Sequence, residues 1–131
     1  MNIKLTKEIG RDVLENIFVT ALEGGSNYWY FLSDEARDII RKYVPKSEDP
    51  YLSTAILKAL EKGAVIPIND AENEDEVLGE LSMDIIATRL QKLHDDMNFS
   101  SALDLEMQGN GDVNSSDVIF QFLTMGEYVF S

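Results

Sequence analysis

EIGRDVLENIFVTALEGGSNYWYF, residues 8–31, is the stretch that decides the predicted fold. Its apolar residues recur at every fourth position in two adjacent rows, which together make one wide face of a long helix. The rows are Val13, Ile17 and Ala21, and Leu14, Phe18 and Leu22. We therefore predict a core helix from Glu8 onward, with Thr6 supplying the N-cap oxygen.

Two glycines, Gly24 and Gly25, follow the apolar rows. Glycine adopts the left-handed conformation at little cost, and many helices end on such a residue. We therefore predict that the helix stops at this pair and that one of the two glycines has a positive φ. Both are assigned a structural role on this ground.

The stretch ends in the aromatic run Tyr28-Trp29-Tyr30-Phe31, which follows a turn at residues 26–27. Alternation along a strand would place the two tyrosines on one side and the other two rings on the opposite side. We predict that Trp29 is the inward ring and has a structural role, because the end of the preceding helix needs an apolar lid.

The polar members of this region are the strongest local candidate for a binding surface. Asn27, Tyr28 and Tyr30 offer an amide, two hydroxyl groups and flat ring faces, against which a planar ligand or a partner side chain would stack. The structural alternative is that one set of rings anchors the core while the other set covers it. Both readings stay open at this point.

The composition indicates a single globular domain over residues 1–131. Its hydrophobic fraction of 44% is ordinary, and the chain is long enough to bury a core without disulfides. It has no cysteine, which excludes disulfides, thiolate zinc sites and cysteine nucleophiles. We find no apolar run of membrane-spanning length and no signal-peptide pattern, so we expect a cytoplasmic protein without membrane contact.

The net charge of −13 is unevenly distributed along the sequence. Residues 1–68 carry 9 Lys and Arg against 10 Asp and Glu, whereas residues 69–131 carry only Arg89 and Lys92 against 14 acidic residues. Such a second half repels phosphates, so direct nucleic-acid binding is not expected. The ordinary interpretation is an acidic surface that only keeps the protein in solution. The functional alternative is an acidic face that meets a basic protein partner or imitates nucleic acid.

Further helices are predicted from capping residues and helical spacing, which gives about five helices in the whole chain. The residues that mark their starts are Ser33, Pro50, Ser82, and Ser115 or Ser116. Pro45 ends the second helix and Gly63 the third, while the last helix ends at Gly126 or continues through residues 128–130. Met97 is expected to extend the buried face of the fourth helix. Residues 99–107 are expected to form one or two helical turns.

Two segments between the third and fourth helices have strand character. Residues 64–68 are short, β-branched and apolar, and residues 76–81 alternate, with the acidic loop 69–75 between them. We predict an antiparallel hairpin in which Pro67 marks an edge or bulged strand. A short strand at residues 2–5 is also expected. The fold class is therefore α+β, mostly helical, with a small antiparallel hairpin.

The sequence contains no complete catalytic constellation. His94 is the only histidine, Gly-x-Ser-x-Gly is absent, and so are the phosphate-loop and dinucleotide motifs. The segment from Asp112 resembles a calcium loop, but Asp117 stands where such loops need glycine and Leu123 where they need glutamate. We therefore predict no catalytic residue, no metal site and no cofactor, and interpret Asp112 and its neighbours as turn and cap residues.

Three blocks of sequence carry a resemblance to known proteins. They are ALEGGSNYW at residues 21–29, LGEL at 78–81 before a helix, and SDVIFQ at 116–121 leading to GEYVF at 126–130. On these blocks the chain resembles a family of small uncharacterised proteins from bacteriophages and prophages. The resemblance implies a phage-encoded protein of the bacterial host cytoplasm, and it implies no activity.

Our leading functional prediction is a non-enzymatic phage-type accessory protein that binds a host protein through its acidic second half. The alternative is a module that binds a small nucleotide-like ligand on residues 27–31, where Arg11, Arg37 and Arg41 would meet any phosphates. An acidic inhibitor that mimics nucleic acid, or an unrecognised enzyme, comes third. The sequence does not define the oligomeric state.

Overall fold

A computed structural model describes residues 2–4 and 8–131, which form six α-helices and five short strands. The helices are α1 (Arg11–Thr20), α2 (Asp34–Tyr43), α3 (Leu52–Glu61), α4 (Met83–His94), α5 (Ser100–Met107) and α6 (Val113–Met125). The strands are β1 (Asn2–Lys4), β2 (Glu8–Gly10), β3 (Tyr30–Phe31), β4 (Ile66–Asp70) and β5 (Val77–Leu81). The predicted class, α+β and mostly helical, is confirmed.

The first helix begins later than the sequence suggested. Residues 8–10 pair as β2 with the predicted N-terminal strand β1, with Ile3 opposite Ile9, so α1 starts at Arg11 after Gly10. Thr6, the predicted N-cap, lies outside the described residues. Leu14, Ile17 and Phe18 are fully buried, as the two apolar rows required.

The helix does not end in the predicted way. Residues 21–25 form a wider π-helical turn, closed by the Ser26 N–H, which donates to the Ala21 carbonyl at 2.9 Å. Neither Gly24 nor Gly25 has a positive φ, so the left-handed stop is wrong. Gly25 is required for another reason: a Cβ there would lie 2.7 Å from the Val113 carbonyl oxygen, whereas a Cβ on Gly24 meets nothing within 4 Å.

The predicted hairpin is confirmed as β4 and β5, which are antiparallel. The prediction that Pro67 lies in an edge strand is wrong, because β3 pairs with the other side of β4 and β4 is therefore the central strand. Pro67 is nevertheless tolerated: β3 pairs only with Asn69 and Asp70, so no ladder hydrogen bond to β3 is needed at the proline. A register shift at residues 68–69 supplies the bulge that the sequence also suggested.

Helix α6 is the central element of the core. It packs against α1, α4, α5 and β5, and it buries Ile119, Phe120, Phe122 and Leu123. It begins before the predicted serines, because Asp112 is its N-cap and forms a capping box with Ser115. Gly126 ends it with a φ of 78°, as one of the two predicted endings required.

The other local signals divide into confirmed and wrong ones. Ser33 and Ser82 cap α2 and α4 with their side chains, as predicted. Residues 99–107 do contain a helix, α5. Pro50 precedes α3 rather than starting it, since the helix begins at Leu52. The prediction that Met97 extends the buried face of α4 is wrong, because Met97 lies after the end of α4 and exposes 98% of its surface.

Candidate functional site

Trp29 is buried, as predicted, with only 2% of its surface exposed. Its ring stacks on Phe130, with centroids 5.7 Å apart and an interplanar angle of 14°, and packs on Phe120 at 5.4 Å. Gln121 holds the C-terminal segment in this place by accepting hydrogen bonds from the Val129 and Phe130 amides. Trp29 therefore joins the aromatic run, α6 and the C-terminal segment.

The strand-like alternation predicted for the aromatic run is wrong at its start, because residues 26–29 form a turn and the strand begins only at Tyr30. The turn lets neighbouring side chains converge on one carboxylate. Asp117 accepts hydrogen bonds from Ser26 Oγ (2.7 Å), Tyr28 OH (2.5 Å) and Trp29 Nε1 (2.7 Å). We call these four residues the Asp117 cluster.

Tyr28 is half-exposed, yet its hydroxyl belongs to this cluster. Partial burial, and then the hydrogen bond to the Asp117 carboxylate, raise the pKa of Tyr28 above its ordinary value. The hydroxyl is therefore held in its neutral, donating form. Tyr28 thus has a structural partner, which the sequence did not indicate.

Asn27 and Tyr30 lie on a different side, in an open cleft of about 700 Å³. We call it the α2 cleft, because Arg37, Asp38 and Arg41 of α2 form one wall. Its other walls are the π-helical turn, β3 and the segment that leads into the first turn of α3. The lining residues used below are Glu23, Asn27, Tyr30, Phe31, Arg37, Asp38, Arg41, Lys46 and Tyr51.

Tyr30 forms the inner part of this cleft, where its hydroxyl donates to the Leu22 carbonyl at 2.5 Å. Burial raises the pKa of Tyr30 to about 12, with the Arg37 charge acting against the shift and the Glu23 charge adding to it. Tyr51, in contrast, exposes 67% of its surface at the rim. The cleft therefore combines an anchored ring with an uncovered one.

Three cationic side chains, Arg37, Arg41 and Lys46, line the cleft, against two carboxylates, Glu23 and Asp38. The lining thus carries a net charge of +1 on a chain of net charge −13. None of the three cations forms an ion pair with a carboxylate of residues 2–4 or 8–131. Their charges are therefore not neutralised by direct contact.

Neutral backbone carbonyls hold the two arginines in place. Arg41 donates to the carbonyls of Asp49 (2.5 Å) and Pro50 (3.0 Å), and Arg37 Nε donates to the Leu32 carbonyl (3.1 Å). Carbonyls orient a guanidinium group without cancelling its charge, and both arginines keep further N–H donors. The cleft therefore presents fixed, positively charged groups.

Arg11, the third arginine that we expected to meet phosphates, lies elsewhere. It forms ion pairs with Glu15 (3.2 Å) and Glu61 (3.0 Å). The cleft thus brings two of the predicted arginines, Arg37 and Arg41, together with Asn27 and Tyr30. The third arginine, Arg11, and the predicted binding residue Tyr28 lie outside it.

Sequence reasoning missed Asp117, Lys46 and Tyr51. Asp117 lies in an apolar helical segment, and its partners in the aromatic run are 88 to 91 residues away, so no local pattern joins them. Lys46 and Tyr51 belong to the connector between α2 and α3, which looked like a plain polar linker.

The loop that resembled a calcium site has cap chemistry. Asp112 Oδ1 accepts the N–H groups of Asn114 and Ser115, each at 2.9 Å. In the part of the chain that the structure describes, no group of three or more His, Asp or Glu side chains is arranged to hold a metal ion. His94 does not line the α2 cleft.

Comparisons with family models, with curated proteins and with solved structures found no match to this chain. The resemblance to bacteriophage proteins therefore stays a prediction. Over residues 2–4 and 8–131, no helix combines the length and the apolar character that crossing a membrane requires.

Proposed function

We propose that this protein binds a small anionic ligand with a planar group, of the nucleotide type, in the α2 cleft. The observation that carries the proposal is the positive lining of the cleft on a strongly acidic chain. A cleft of about 700 Å³ lies within the size range typical of small-molecule sites. Its convergent polar groups and the exposed ring of Tyr51 suit a ligand with a charged end and a flat end.

The charged end is assigned to Arg37, Arg41 and Lys46, which all line the cleft. A guanidinium group with free N–H donors binds phosphate or carboxylate oxygens through charge-assisted hydrogen bonds. The planar end is assigned to the ring faces at the rim, where Tyr51 is the most exposed ring. Asn27 is exposed beside them and supplies an amide for the polar edge of the planar group.

Isothermal titration calorimetry with nucleoside triphosphates, monophosphates, uncharged nucleosides and inorganic phosphate tests the proposal. We expect the affinity to rise with the number of phosphates and to fall with added salt. Arg37→Ala should weaken binding by about tenfold, since a hydrogen bond to a charged group is worth about 1.5–3 kcal/mol. Arg11→Ala is the matched control and should bind like the parent.

Two results would overturn this proposal. One is the absence of measurable heat with every compound of the panel. The other is an equal loss of affinity in Arg37→Ala and Arg11→Ala, which would show that only the overall charge of the protein matters. Binding of phosphate alone with the same affinity as the nucleotides would retain the anion site and remove the role of the rings.

A second candidate function is the leading sequence prediction, an accessory protein that binds a host protein through its acidic second half, with a phage-type origin that only the sequence resemblance implies. The observation that favours it is the loop between β4 and β5, where residues 72–76 are all exposed and carry four carboxylates. A pull-down from bacterial lysate at low and high salt, with the parent and with a Glu72→Gln/Glu74→Gln variant, tests it. Equal recovery by both proteins would contradict it.

A further inference from the structure

A shallow groove lies between α5 and α6, far along the chain from the α2 cleft. It encloses about 220 Å³, and its apolar lining residues are Phe99, Ala102, Leu105 and Val118. Leu105 exposes 41% of its surface there. The volume is below the range typical of small-molecule sites, and it suits one or two inserted side chains better than a whole ligand.

The groove is formed by a segment of the sequence that contains no lysine or arginine. Residues 93–131 include seven acidic residues and neither Lys nor Arg. Glu106 and Asp117 are buried, so the other five acidic residues of this segment supply the negative charge of its surface. Asp112 lies in the lining itself, at the N-terminal end of α6. The nearest cation in sequence, Lys92, and also Arg89 lie at the opposite end of α6, where Arg89 donates to the Leu123 carbonyl at 2.8 Å.

We propose that this groove docks a cationic amphipathic helix of a partner protein. One large apolar side chain of that helix enters between Phe99 and Leu105, and flanking lysines or arginines face the acidic surface. An apolar groove inside a surface of one charge sign is complementary to a helix with an apolar stripe and the opposite charge. The inference deepens the second candidate function and does not rest on the α2 cleft.

The same charge pattern argues against the other classes of occupant. Anionic lipid headgroups and nucleic-acid phosphates are repelled by an acidic surface. A second copy of this chain carries the same net charge of −13, so its approach is opposed as well. A basic partner remains as the class that gains from both the apolar lining and the acidic surround.

The test uses a fluorescently labelled synthetic helix of leucine and lysine, with its leucines on one face, and measures anisotropy as the full-length protein is added. Ser101 lines the groove and is exposed, so Ser101→Trp should close it. We expect the affinity of this variant to fall by about tenfold. Ser47→Trp, the same change on an exposed loop outside the groove, should bind like the parent.

A second variant and a second peptide keep the test decisive if Ser101→Trp does not fold. Leu105→Ser removes apolar lining and should weaken binding by a similar factor. A peptide whose leucines are replaced by serine keeps its charge and should lose most of its affinity. Equal binding of the two peptides, or no effect of either groove variant, overturns the inference.

The acidic-loop variant separates this inference from the second candidate function. Glu72→Gln/Glu74→Gln leaves the groove intact and should bind the leucine–lysine peptide like the parent. If that variant alone loses the peptide, the acidic loop is the docking surface. The groove inference is then wrong, while the general proposal of a basic partner stands.

Discussion

Tyr28 and Trp29 differ from Tyr30 and Phe31 in what surrounds them, although the four rings are consecutive. The first pair donates to a buried carboxylate on α6, so its polar atoms are bonded within the Asp117 cluster. The second pair lines the α2 cleft, beside arginines that are not ion-paired with carboxylates of the described residues. A turn at residues 26–29 makes this division, and it separates the half of the run that is bonded to α6 from the half that lines the cleft.

The largest effect is expected from removing the buried half of the run. Trp29→Ala deletes a large buried ring and leaves Asp117 without one of its donors, and it should cost about 3–5 kcal/mol in the free energy of unfolding. Chemical denaturation of the parent and the variant measures this cost. Tyr51→Ala, at the exposed rim of the cleft, is the control and should cost less than about 0.5 kcal/mol.

The next effect concerns the two glycines that precede the run. Gly25→Ala brings a Cβ against the Val113 carbonyl at the start of α6, and it should cost about 1–3 kcal/mol through overpacking. Gly24→Ala meets no atom within 4 Å and has no positive φ, so it should be neutral or slightly stabilising. Equal melting temperatures for the two variants would contradict the described packing of the π-helical turn on α6.

A smaller effect is expected from the Tyr28 hydroxyl. Tyr28→Phe removes one donor to Asp117 while Ser26 and Trp29 keep theirs, so the cost should be about 1–2 kcal/mol. Nucleotide binding should not change, because Tyr28 does not line the α2 cleft. A variant with parental stability and weakened binding would reverse the assignment of the two halves.

The smallest effect is a dependence of stability on alkaline pH. The pKa of Tyr30 is raised from 10.0 to about 12, so the folded state retains a proton that the unfolded chain loses first. The stability linked to this group is therefore fully present below pH about 10 and is lost as the pH rises towards about 12. Denaturation at pH 8 and pH 11 should show a smaller decrease for Tyr30→Phe than for the parent.

Sequence patterns predicted those features that depend on neighbouring residues. The apolar rows of α1, the caps at Ser33 and Ser82 and the β4–β5 hairpin all follow from local spacing and local hydrogen bonds. The π-helical turn could not be predicted from local spacing, because a glycine pair indicates a left-handed stop and a close backbone approach equally well. Gly25 is fixed by Val113, a contact that no local pattern contains.

The candidate site shows the same limit. Asn27, Tyr30, Arg37 and Arg41 were named from the sequence, and the fold brings them to one cleft. Tyr28 lies outside this cleft because its hydroxyl donates to Asp117. Arg11 lies outside it because it pairs with Glu61, which is 50 residues away in the sequence. Long-range pairs of this kind appear only once the helices have packed.

The most direct test of the divided aromatic run is a two-dimensional amide spectrum recorded while a nucleoside triphosphate is added. We expect shifts of the Asn27, Tyr30 and Arg37 amides, which belong to the α2 cleft. The indole N–H of Trp29, held by Asp117, and the amide of Val129, held by Gln121, should stay in place. Shifts confined to Trp29 and Val129, or the absence of shifts at the cleft, would contradict this account.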